Sequence, residues 1–78
     1  MDKVPWNPVI YREFVSLAYL SKEEEKILKT RIAGWNQAAQ INELNMSLAT
    51  LNRRIRKLKD KYYSVVEYSK ILPENIEF

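Results

Sequence analysis

In the stretch "LNMSLATLNRRIRKLKDKYY", Leu44 to Tyr63, apolar residues fall at Leu48, Leu51, Ile55, Leu58 and Tyr62, and the series continues to Val65. The alternating steps of three and four predict one long helix with a narrow buried seam. At about 100° per residue the seam spans about 100° of arc, while Ala49, Asn52, Arg53 and Arg56 cluster on a face centred roughly 140° away. Packing and binding can therefore share a single helix. The residues "YYSVVEY" that follow are strand-prone, but no Gly or Asn is present to reverse the chain into a hairpin. The helix is expected to run to about Ser69 or Lys70 and to stop before Pro73.

Charge is distributed unevenly along the chain. The net charge is only +3. Up to residue 46, Lys3, Arg12, Lys22, Lys26, Lys29 and Arg31 are matched by six acidic residues, whereas Arg53, Arg54, Arg56, Lys57, Lys59, Lys61 and Lys70 face only Asp60 and Glu67. The positive field thus comes almost entirely from the helix with the seam. A solvated outer face is the plainest explanation of such a run, and docking onto an acidic protein is another.

Seventy-eight residues make one domain near the lower limit for folding without cross-links, so a core shared with a second copy is plausible. Cys and His are both absent, which removes disulfides, thiolate nucleophiles, the commonest zinc ligand and the usual neutral-pH general base. The single Gly34 excludes a Gly-rich phosphate loop, and no apolar run reaches the roughly 20 residues of a membrane span. The Met-Asp start lacks the zones of a signal peptide. The expectation is a cytoplasmic protein with no cofactor, no metal and no catalytic activity.

In "VPWNPVIYREFVSLAYL", Asn7 makes an N-cap and Pro8 a first helical residue. Val9, Ile10, Tyr11, Phe14, Val15, Leu17 and Tyr19 spread over most of that helix, which is expected to reach Leu20. It reads either as a central core helix or as one that also forms a dimer contact. In "LSKEEEKILKTRIAGW", Ser21 and Glu24 have capping-box spacing, and Glu23, Glu24 and Glu25 suit the positive end of a helix dipole. Capping accounts for these carboxylates without a catalytic role. Ile27, Leu28 and Ile32 form an apolar stripe, and Gly34 ends the helix in left-handed geometry.

"NQAAQINEL" is a short helix capped by Asn36, with Ala38, Ile41 and Leu44 as its apolar positions. Asn45 tolerates the left-handed conformation of a tight turn. Ser47 caps the next helix, with Met46 placed to pack on Leu51. One helix ends and another begins within about three residues, as in a helix-turn-helix unit. The fold class expected is all-α, a small helix-turn-helix bundle of about four helices with a long C-terminal helix. Residues 1–20 are the N-terminal apolar helix, 21–62 the helix-turn-helix core, and 63–78 an extension and tail.

From Leu20 to about Tyr62 the chain resembles, without gaps, the helix-turn-helix domain of LuxR-type regulators and region 4 of bacterial sigma factors. Leu20, Ser21, the glutamates, Ile27 with Leu28, and Gly34 follow the pattern of the first half. "LNMSLATL" follows that of the turn, with Leu44, Asn45, Met46, Ser47, Thr50 and Leu51. One departure stands out: where those families place an aliphatic residue and then Ala, this chain has Gln40 and Ile41, leaving the close inter-helix approach to Ala38 or Ala39.

The resemblance implies a sequence-specific double-stranded DNA-binding protein, a small bacterial or phage transcriptional regulator, with the helix from Ser47 in the major groove. Thr50 and the backbone near Ser47 would meet phosphates. Asn52, Arg53 and Arg56, beside Ala49, would face base edges, where Asn suits adenine and Arg suits guanine. Arg54, Lys57, Lys59 and Lys61 would attract the phosphate backbone. One short module binds weakly at physiological salt, so a homodimer is expected, formed by the N-terminal helix and by Tyr62, Val65 and Val66. The alternative is a helical interaction or oligomerisation module within a transcription or DNA-packaging assembly.

Overall fold

Each helix begins where a short polar side chain can take up orphaned backbone amides. The computed structural model describes residues 3–74 and 78. Helix α1 (Pro8–Ala18) starts at Asn7, whose side chain accepts from the amides of Val9 and Ile10 at 3.0 and 2.9 Å. Helix α2 (Lys22–Ile32) starts with a complete capping box: Ser21 Oγ accepts from the Glu24 amide at 3.1 Å, and Glu24 Oε1 accepts from the Ser21 amide at 3.0 Å. Helix α3 (Gln37–Leu44) is capped by Asn36, which accepts from the Ala39 amide at 2.8 Å. Helix α4 (Leu48–Val65) follows Ser47, whose Oγ accepts from the Thr50 amide at 3.1 Å. Each such cap contributes about 1 kcal/mol. Four helices and no strand are present among the described residues, so the protein is all-α with a long C-terminal helix.

Helix α2 closes on a left-handed glycine. Gly34 has φ 88°, its amide donates to Arg31 O and the Trp35 amide donates to Thr30 O. These two bonds satisfy carbonyls that the last turn would otherwise orphan.

Helix α1 ends at Ala18 rather than at Leu20, because Tyr19 turns left-handed at φ 53° and ψ 60°. A residue with a Cβ costs about 1–2 kcal/mol in that region. Tyr19 is 87% exposed, so its ring recovers little by burial. Tyr19→Asn, which tolerates this backbone without the entropy of glycine, is expected to stabilise the protein by about 0.5–1 kcal/mol. A lowered urea midpoint for that variant would show that the ring makes a contribution outweighing the strain.

The chain divides into two compact units, Met1–Tyr19 with Lys59–Phe78, and Leu20–Leu58. The first is built on aromatic rings. Phe14 lies 5.7 Å from Trp6, 5.5 Å from Tyr62 and 6.1 Å from Phe78, centroid to centroid, and Trp6 lies 5.6 Å from Phe78, mostly tilted or edge-on. Val4, Ile10 and Leu72 are buried in the same unit. Helix α1 is therefore one-sided rather than a central core helix: only Ile10 and Phe14 are buried, and Val9 is exposed. Val9 shares a shallow groove with Arg12, Glu13, Ser16 and Ile71.

Helix α4 stops short of Ser69. After Val65 a single 3-10 turn, Val66–Tyr68, leads to Ser69 in extended conformation. Buried Ser69 supplies the reason: its Oγ accepts from the amides of Ile71 and Leu72 at 3.0 and 3.1 Å and donates to Glu13 at 2.5 Å. A serine that serves the backbone following it competes with continuation of the helix.

Tyr62 is fully buried and donates from its hydroxyl to Pro73 O at 2.8 Å. Burial, with a smaller repulsion from the Tyr63 phenol, pushes its pKa above the ordinary 10.0. The folded state thus holds this proton at a pH where the unfolded chain has released it. The stabilisation is fully present below about pH 10 and is lost as pH rises through the folded value. Urea midpoints should fall above about pH 10, and Tyr62→Phe should flatten that alkaline limb. An unchanged limb in the variant would assign it to other groups.

Candidate functional site

The second unit presents the basic helix as far as Leu58. Its buried side chains are Glu24, Ile27 and Leu28 from α2, Gln40 from α3, and Leu51, Ile55 and Leu58 from α4. Two of the expected apolar positions of α3, Ile41 and Leu44, are only half-buried, and Ala38 is exposed, as is Ala39. Gln40 occupies the interior at 1% exposure instead. Its Nε2 donates to Ile27 O at 3.2 Å and to Thr30 Oγ1 at 2.9 Å. A buried amide is tolerated only when so partnered. The residue that departs from the helix-turn-helix pattern therefore ties α3 to α2, while Ala38 and Ala39, expected to make the close approach, are both exposed.

Between α3 and α4 the chain turns at Asn45, with φ 53° and ψ 51°. The Asn45 and Met46 amides both donate to Ile41 O, the latter at 3.2 Å. Ser47 then starts α4, also donating from its hydroxyl to Thr50 Oγ1 at 2.9 Å. Three residues, Asn45 to Ser47, separate the two helices.

The seam of α4 is buried at Leu51, Ile55, Leu58 and Tyr62, half-buried at Val65, and open at Leu48, which is 47% exposed. Helical side chains lean toward the N-terminus, so Leu48, the first residue, projects past the end of its own helix. Ala49, Asn52, Arg53, Arg56 and Lys57 are exposed, and Thr50 is half-buried. No ion pair engages Arg53, Arg56 or Lys57 among the described residues. Two donors of five N–H groups each thus stand free on one face of a helix held from behind.

Besides the bonded pair Ser47 and Thr50, two more of the expected site residues are engaged, by side chains of other helices. Arg54 is half-buried, with its Nε 2.9 Å from Glu23 Oε1. The contact is ionic rather than a directed hydrogen bond, since no well-aligned acceptor meets that N–H. It offsets the charge expected to attract phosphates. Asn52 accepts at Oδ1 from Gln37 Nε2, 2.7 Å away. Lys59 and Lys61 are half-buried. Neither Glu23 nor Gln37 carries a sequence signal for these roles, because their partners lie 31 and 15 residues away.

No group of three or more metal-ligating side chains occurs among the described residues, and no helix is long and apolar enough to cross a membrane. Shallow grooves on the second unit are lined by Lys22, Glu23, Lys26, Glu43 and Leu44, and by Lys26, Lys29, Thr30, Trp35, Glu43 and Leu44. Comparison of the chain with protein families, with curated proteins and with solved structures finds no match.

Proposed function

We propose that this protein binds double-stranded DNA sequence-specifically, as a small regulator of transcription without catalytic activity, by placing the N-terminal half of α4 in the major groove. The observation that carries this reading is the exposure of Asn52, Arg53 and Arg56 on the face opposite buried Leu51, Ile55 and Leu58. A short left-handed turn at Asn45 precedes that helix, as a helix-turn-helix requires. Arginine reads guanine through paired hydrogen bonds, and its charge displaces counterions from phosphates. Two copies acting as a homodimer would double both contributions and read two half-sites. Tyr62 lies inside its own unit, so the contact between copies falls to exposed apolar residues such as Val9.

Fluorescence anisotropy with random and selected duplexes at two salt concentrations tests the proposal. Binding should weaken steeply with salt, log K falling by about 0.9 per phosphate contact for each log unit. No binding even at low salt would sink the reading and favour an interaction module docking through the Trp35 and Leu44 groove.

A further inference from the structure

Gln37 is the first residue of α3, and Asn52 lies in the second turn of α4. Both are exposed, yet their amides meet, with Gln37 Nε2 donating to Asn52 Oδ1 at 2.7 Å. An exposed asparagine amide otherwise has two orientations, related by a half-turn, that offer donor and acceptor in opposite order. In this structure Gln37 Nε2 faces Asn52 Oδ1, which sets one of the two orders; only a half-turn of both amides together exchanges the roles. We propose that Gln37 is a positioning residue for base reading: it fixes the Asn52 amide so that Nδ2 and the second lone pair of Oδ1 stand together toward the groove. That donor and acceptor pair is what N7 and N6 of adenine require. This role rests on the proposed function, since it matters only if α4 enters the groove.

The chemistry of the pair makes the idea testable without disturbing the core, because neither side chain is buried. Gln37→Ala frees the amide to rotate. Gln37→Glu goes further: a carboxylate only accepts, so it draws Nδ2 toward itself and turns Oδ1 outward, reversing the order shown to the base.

The experiment is selection from random duplex DNA by the wild-type chain, Asn52→Ala, Gln37→Ala and Gln37→Glu, with thermal midpoints measured alongside. Asn52→Ala identifies the base position that Asn52 reads. At that position adenine preference is expected to fall about fivefold to tenfold in Gln37→Ala, and to disappear in Gln37→Glu. Preference elsewhere and the thermal midpoint should stay unchanged. An unaltered adenine preference in both Gln37 variants overturns the positioning role and leaves DNA reading intact. Equal weakening at every position overturns it too, by making Gln37 a phosphate contact. No preferred site for the wild-type chain overturns the proposed function, and this role with it.

Discussion

Phe14→Ala is expected to destabilise the protein by about 3–5 kcal/mol, which is the range for removing a fully buried ring. Phe14 has no exposed surface and touches three other rings at centroid distances of 5.5 to 6.1 Å. Each such pair adds about 0.5–1.5 kcal/mol beyond the area it hides. A chain of 78 residues has a total stability of only about 4–12 kcal/mol at the usual 0.05–0.15 per residue. The substitution therefore takes a large share of it. Phe14→Leu keeps most of the volume and should cost about 1.5 kcal/mol or less. Urea unfolding followed by Trp6 fluorescence, in a Trp35→Phe background, reads the unit that contains Phe14. Equal midpoints for Phe14→Ala and Phe14→Leu would mean that the ring cluster does not hold that unit together.

That cluster was beyond the reach of sequence reasoning, and the reason is separation along the chain. Trp6 and Phe78 stand near opposite ends, and their meeting depends on loops that carry no periodic signal. The caps at Asn7, Ser21, Asn36 and Ser47 were legible because each bonds an amide two or three residues away. The left-handed Gly34 and Asn45 were legible because few residue types accept that backbone. In the sequence Gln40 stands out only as a departure from the helix-turn-helix pattern. Nothing local reveals that Ile27 O and Thr30 Oγ1 await its amide. Helix α4 ends earlier than its period implies for a similar reason, since that period says nothing about Ser69 serving the amides that follow it.

Leu48 apart, the period of α4 separates buried Leu51, Ile55 and Leu58 from exposed Asn52, Arg53 and Arg56, and this makes the second large effect specific. If α4 reads bases, the double variant Arg53→Ala with Arg56→Ala should lose at least about thirtyfold in affinity for a selected duplex. That estimate takes about 1–3 kcal/mol for each bidentate contact to guanine. Affinity for random duplex should fall far less, so the ratio between the two collapses. Lys57→Ala offers the contrasting outcome: weaker binding to every sequence alike, with the salt slope reduced by about 1. Arg54→Ala should change DNA affinity less than either, because its guanidinium already faces Glu23; a partly exposed pair of this kind contributes about 0–1 kcal/mol to stability. Anisotropy titrations at two salt concentrations separate these patterns. A double variant that loses affinity for random and selected duplexes in equal measure would reduce Arg53 and Arg56 to phosphate contacts, and base reading would have to lie elsewhere on the protein.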